Sequence, residues 1–257
     1  MLTPVLAVLA LSACTADPTG NPAMPASGQP DAIAGDIVVF AASSLTGAFT
    51  AMAESFRAEH PDAELVFNFA ASSDLVGQID EGAPADVFVS ADDNNMGKLT
   101  AAGMNASDPV VIARNSFQII VEEGNPRGIT SLADLANGDL IVILCAVDAP
   151  CGRGAAQVLD NAGVTVTPRS YEQNAKSVVT KVTAGEADAG IVFATDVRAA
   201  VGSADGVAIP AEVNLISNYP IAVTRQAGNA AGARAFIDFV LSAAGQAILT
   251  EYGFLTP

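Results

Sequence analysis

One pattern restricts the fold of this chain more than any other: an apolar strand that ends in two serines where a helical repeat begins, used twice. Asp36-Ile37-Val38-Val39-Phe40-Ala41-Ala42-Ser43-Ser44-Leu45 reads as a buried strand, and Leu45, Ala48, Phe49, Met52 and Phe56 then recur three or four apart, as on one helix face. Leu65-Val66-Phe67-Asn68-Phe69 runs into Ala70-Ala71-Ser72-Ser73-Asp74-Leu75, so Phe-Ala-Ala-Ser-Ser stands at both junctions. Strands that feed helices define the α/β class. A helix start carries unpaired N–H groups and the positive end of the helix dipole. A serine there can simply cap the helix, or the start can receive an anion. Two such starts can face one crevice, because open parallel sheets bind ligands at the carboxyl ends of their strands.

The pattern restarts further on. Residues 85–91 read as a strand, followed by Asp92-Asp93-Asn94-Asn95, a solvated helix start that lacks the glycine and distal Glu of a calcium loop. Strands at 110–113 and 117–121 suggest a crossing between two halves. Beyond it come a short helix at 131–135, an apolar run at 140–144, a loop from Cys145 to Gly152 and a helix from Arg153. Amides from Cys151 onward form a third helix start, and Asn174-Ala175-Lys176-Ser177 opens a fourth. Residues 188–193 return as a strand, Tyr219 to Val223 make a second crossing, and one closing helix spans 230–252. The expected organisation is two similar α/β lobes joined by hinge strands: residues 36–113 with 220–257, and residues 114–219.

Residues 2–11 are apolar but too few to span a bilayer, and they end in Leu11-Ser12-Ala13-Cys14, as a signal peptide ends before its cleavage site. Leu-Ser-Ala-Cys resembles the lipobox of bacterial lipoproteins, which would make Cys14 the lipidated residue and residues 1–14 the leader. Residues 15–35, with Pro18, Pro22, Pro25 and Pro30 among small polar residues, read as a disordered tether. The expected address is the extracytoplasmic face of a cell membrane, reached through the lipid alone. Setting Cys14 aside leaves Cys145 and Cys151, which are expected to pair in a compartment where disulfides persist.

Several chemistries fail on inventory. The formal charge of −17 with 11 basic residues argues against nucleic acid and anionic lipid surfaces. No nucleophile elbow and no dinucleotide or Walker glycine pattern occurs. The one histidine, His60, leaves no Ser-His or Cys-His pair and no zinc set. Four helix starts, two with serines, remain. Neutral donors of this kind suit a small, fully ionised oxyanion, which offers acceptors only, whereas hydrogen phosphate would want an acceptor for its proton.

The residues resemble the molybdate-binding proteins of ABC importers, which have a type II periplasmic-binding-protein fold. The likeness covers residues 36–257 and is carried by residues 39–45, by Gly82-Ala83-Pro84-Ala85-Asp86-Val87-Phe88-Val89-Ser90-Ala91-Asp92, by Gly185-Glu186-Ala187-Asp188-Ala189-Gly190-Ile191-Val192-Phe193, and by Tyr252-Gly253-Phe254. The resemblance implies a monomeric receptor that binds molybdate or tungstate through serine hydroxyls and backbone amides, uses no cofactor, catalyses nothing and docks on an ABC permease. It places ligand contacts at Ser44 and Ser72, with Ser43 and Ser73 one register away, and at the amides of Cys151 and Ala175. Where the family often has a tyrosine hydroxyl on the oxyanion, this chain has Phe193. The cysteine pair would hold the Cys151 amide in place. A receptor of the same fold for sulfate is the nearest alternative, and a lipoprotein enzyme or a purely structural surface lipoprotein the more distant ones.

Overall fold

The computed structural model describes residues 33–257; the expected leader with Cys14, and the tether as far as residue 32, lie outside the described residues. Ten strands follow in order: β1 (Gly35–Ala42), β2 (Ala63–Ala70), β3 (Val87–Val89), β4 (Val110–Asn115), β5 (Phe117–Glu122), β6 (Val142–Cys145), β7 (Ser170–Glu172), β8 (Ala189–Phe193), β9 (Ala204–Ala208) and β10 (Ser217–Val223). They form two five-stranded sheets, ordered β2-β1-β3-β10-β4 in lobe 1 and β7-β6-β8-β5-β9 in lobe 2. In each sheet three parallel strands are followed by one antiparallel strand. That strand arrives from the other lobe. β5 enters lobe 2 one residue after β4 leaves lobe 1, and β10 returns to lobe 1 after β9.

The helices are α1 (Thr46–Glu59), α2 (Ser72–Asp80), α3 (Asp93–Ala101), α4 (Pro150–Asn161), α5 (Ala175–Thr183), α6 (Ala194–Ala199), α7 (Ala230–Leu241) and α8 (Ala243–Glu251). β1 is apolar on both faces because helices cover both sides: Ile37, Val39, Phe40 and Ala41 are all buried. On one side Phe49 and Phe56 of α1 meet Phe236 of α7 edge-on, at 5.5 and 5.7 Å between ring centres. Burying each such ring stabilises by roughly 1.5–3 kcal/mol, which fastens the C-terminal helices to lobe 1.

The structure corrects the sequence reading in several places. The closing segment is two helices bent by 64° at Ser242, whose Oγ accepts from the Gly245 amide and caps α8. α4 begins at Pro150 and not at Arg153, since proline's fixed φ suits the first helical position. Gly35, counted with the tether, is the first residue of β1 and donates its N–H to the Asp62 carbonyl. Only three residues of the strand expected at 85–91 are extended in the sheet, and Asn95, expected in solvent, is fully buried. Sequence patterning did not reveal β7, β9 or α6, all short.

Candidate functional site

The carboxyl ends of β1, β2 and β3 meet those of β6, β7 and β8 across a narrow cleft. Its free volume of ≈ 10 Å³ is far below the roughly 300–1,000 Å³ of pockets for drug-sized ligands, so the two lobes are drawn closely together around it. Ser44, Ser72, Cys151, Ala175 and Phe193, the five residues expected from the sequence, all line it, as does Ser43. Ser73 does not; its hydroxyl turns to the Asp74 carboxylate at 3.5 Å and borders a separate groove. No charged side chain lines the cleft. A wider groove of ≈ 530 Å³ runs on past Ser43 and Ser44 toward Lys176, Thr180 and Ser203.

The helix starts that meet here are left open. Ala42, Ala71 and Ala149 occupy the cap positions before Ser43, Ser72 and Pro150, and alanine has nothing to cap with. Neither serine acts as a cap, so the simpler reading of the two junctions does not hold. At α5 Asn174 does cap, accepting from the Ser177 amide at 3.0 Å, which still leaves the first-turn amide of Ala175. Among the described residues no acceptor is within hydrogen-bond reach of the amides of Ser44, Ser72, Cys151 or Ala175. These are N–H groups a helix cannot satisfy by itself.

Both serines are already engaged by a partner in lobe 1. Ser72, fully buried, takes the Ala91 amide on Oγ at 3.0 Å. Ser44 Oγ lies 2.8 Å from the hydroxyl of Tyr219, which is itself fully buried. Tyr219 continues through Asn115, whose Nδ2 donates to the Tyr219 hydroxyl at 3.3 Å and to Thr195 Oγ1 at 2.8 Å. Burial pushes the Tyr219 phenol well above its ordinary value, with the nearby Asp196 adding to the rise, so it stays protonated.

Phe193 brings no donor. Its ring packs on Phe117 at 4.7 Å and edge-on to Tyr219 at 5.7 Å, giving the cleft an apolar wall. Just beyond it Asp196 is buried with, among the described residues, a single donor, the Phe193 amide at 3.2 Å, and burial raises its carboxyl to about 7.

On the lobe 2 side Cys145 and Cys151 form the expected disulfide, with Cα atoms 5.7 Å apart. It ties the end of β6 to the first turn of α4. Gly152 allows that turn to lie against the Ala146 carbonyl, where any Cβ would collide. Across the cleft Arg153 of α4 donates through Nε to Asp92 of lobe 1 at 3.1 Å. Tyr219, Asn115, Thr195, Asp196 and Arg153 escaped the sequence reading. A tyrosine within the apolar run 219–223 was the one available signal, and the others are ordinary polar residues in sequence.

Two α/β lobes closing on a small cleft furnished with neutral donors define a receptor for a small solute. The comparisons carry this further. The chain belongs to the bacterial extracellular solute-binding proteins, whose family profile matches residues 37–255. It is 38% identical over 257 residues to the molybdate-binding protein ModA of Mycobacterium tuberculosis, covering 100% of this chain and 97% of that one. The periplasmic molybdate-binding protein of Azotobacter vinelandii superposes with a TM-score of 0.73 at 20% identity, covering 86% of this chain and 99% of that one. The sulfate-binding protein SubI of M. tuberculosis gives 0.72 at 19%, over 85% and 86% of the two chains. These two structures speak for the fold alone. The family binds solutes and is not enzymatic, which sets aside the enzyme and the purely structural lipoprotein.

Proposed function

We propose that the chain captures molybdate, and tungstate with it, as the fully ionised dianion between its lobes and delivers it to the permease of an ABC importer. The observation that carries this reading is a cleft at four helix starts, lined by serines and backbone amides and by no charged side chain. Helix N-termini favour negative charge without a cationic side chain, and a carboxylate in such a cleft would repel the ligand. Ser44, Ser72 and the amides of Cys151 and Ala175 are the contacts. The full-length similarity to ModA of M. tuberculosis supports the choice of ligand. Residues 1–14 act as a lipoprotein leader, Cys14 carries the lipid, and residues 15–34 link it to the body, outside the cytoplasmic membrane.

Isothermal titration of residues 33–257 tests the ligand. Tight one-to-one binding of molybdate and tungstate, with sulfate and phosphate far weaker, is the expected result. Sulfate binding best would keep the site and change the ligand, and no binding of any of the four would overturn the receptor reading. Radiolabelled palmitate incorporated into the full chain but not into a Cys14→Ser variant tests the anchor.

A further inference from the structure

Hydroxyl groups can point their proton either way, so a serine in a binding cleft does not by itself distinguish a ligand that only accepts from one that also donates. In this cleft the direction is fixed from outside. Asn115 Oδ1 accepts from the Ser116 amide at 3.0 Å, and because an amide N–H can only donate, the oxygen must be the atom that faces it. Nδ2 is thereby turned to Thr195 and to Tyr219. The Tyr219 hydroxyl accepts from Asn115 and keeps one proton. Among the described residues Ser44 Oγ is the only acceptor within reach of it. A fully buried O–H without an acceptor is costly, so that proton goes to Ser44. With one lone pair of Ser44 Oγ taken by this bond, its own proton is turned to the cleft it lines.

We propose that Asn115 and Tyr219 are positioning residues that hold the Ser44 hydroxyl as a donor into the cleft, and so make the site select a fully deprotonated tetrahedral oxyanion over one that retains a proton. The inference rests on the receptor reading above and names what sets its selectivity. Ser72 needs no such helper, because its donor is the Ala91 backbone amide. The selectivity of the Ser72 contact is therefore set by the main chain, while that of Ser44 depends on two replaceable side chains. The relay also spans the hinge: Ser44, Asn115 and Tyr219 lie in lobe 1, and Thr195, which takes the other Asn115 proton, starts α6 in lobe 2.

The test is a double-mutant cycle on the full binding body at pH 7.5, with molybdate as ligand and sulfate and phosphate as competitors. Sulfate carries no proton at this pH and hydrogen phosphate carries one. Tyr219→Phe keeps the buried ring and is expected to weaken molybdate about 5–10-fold, the scale of one hydrogen bond in a polar network. It should also raise phosphate relative to sulfate, because Ser44 Oγ is then free to accept. In a Ser44→Ala background the same change should cost nothing further, as no hydroxyl remains to be oriented. Asn115→Asp, which keeps the Ser116 contact but accepts the Tyr219 proton, should weaken molybdate more than Tyr219→Phe does and affect hydrogen phosphate least.

A Tyr219→Phe penalty that is equal with and without Ser44, or no change in the phosphate-to-sulfate ratio, overturns the proposal in favour of a packing role. Wild-type affinity in Asn115→Asp overturns it independently, should Tyr219→Phe fail to fold. A wild-type chain that binds none of the three oxyanions overturns the receptor reading and this inference together, whereas wild-type binding with an additive cycle overturns this inference alone.

Discussion

In lobe 1 an aspartate just before β3, Asp86, accepts the Val38 amide at 2.7 Å; in lobe 2 an aspartate just before β8, Asp188, accepts the Ile141 amide at 2.6 Å. The same device locks the central parallel strand onto its neighbour in both lobes. The second oxygen shows where they part. Asp86 gives it to the Asn229 amide at the start of α7, sealing lobe 1 under the C-terminal helices, while Asp188 gives it to the half-exposed Arg127. The donors aimed at the cleft diverge as well. Lobe 1 supplies serine hydroxyls, and lobe 2 supplies main-chain amides steadied by a disulfide at Cys151 and an asparagine cap at Ala175. A duplicated scaffold therefore fixes where donors converge, and local chemistry decides what they are.

The largest effect expected from this contrast concerns stability. Buried Asp86 accepts backbone amides on both oxygens, whereas buried Asp196 has one donor and a carboxyl raised from 3.8 to about 7. A raised folded value means that the folded chain keeps a proton the unfolded chain has lost. The stabilisation is complete below about pH 4 and is lost as pH rises through 7, by on the order of 4 kcal/mol. Asp196→Asn retains the oxygen that accepts from Phe193 and removes the charge. Its melting temperature should exceed the wild type's at pH 8, and the gap should close toward pH 4. A constant gap across that range would show that Asp196 is not the titrating group.

Next in size is the contrast in donors. Ser72→Ala removes a hydroxyl that nothing else supplies and should weaken molybdate by about 1.5–3 kcal/mol, the scale of a hydrogen bond to a charged group. Replacing both Cys145 and Cys151 by alanine removes no donor, since the contact proposed at 151 is main chain. Its primary cost is about 2 kcal/mol of folding stability from the short loop, with a smaller loss of affinity as the first turn of α4 loosens. Titration and thermal melting of the two variants should give different profiles: for Ser72→Ala, binding lost together with about 1–3 kcal/mol of stability from the buried Ala91 amide left without its acceptor; for the cysteine variant, stability lost with binding largely kept. Equal binding losses would mean that the disulfide, and not the helix start alone, positions the Cys151 amide.

The parts of the fold that were legible in sequence share a physical basis. Buried parallel strands show as unbroken apolar runs such as Ile37 to Ala42, and the helix starts after them show as Ser-Ser, Pro-Cys or Asn-Ala. These signals are local, and they were enough to find five residues that the structure brings to one cleft. What escaped depends on contacts distant in sequence. Tyr219 reaches Ser44 across 175 positions, and Asn115 reaches Thr195 across 80. The break at Ser242 was missed for a related reason: residues 230–252 keep a helical apolar pattern throughout, and the bend comes from α8 turning so that Gly245 packs against the Phe239 and Val240 carbonyls. β7 and β9 are three and five residues long, too short for an alternating pattern to stand out.

The smallest expected effect lies between the lobes rather than within either. Arg153 on α4 meets Asp92 at the start of α3, and Asp92 also accepts the Asn95 amide at 2.8 Å, so the carboxylate is held in place by lobe 1 whether or not the arginine is present. Arg153 is the informative residue to change, because replacing Asp92 would uncap α3 as well. With about a third of the arginine side chain exposed, solvent screening limits such a pair to roughly 0.2–1 kcal/mol. Arg153→Gln should weaken molybdate no more than about fivefold, through faster release, since the pair exists only when the lobes are together. It should leave the melting temperature of the ligand-free chain unchanged and make affinity less dependent on salt between 20 and 500 mM, about the range over which screening overtakes an exposed pair. A drop in ligand-free stability would mean instead that the lobes rest closed without ligand. The contrast between hydroxyl and amide donors would then describe two halves of a preformed site, and not two surfaces that the ligand draws together.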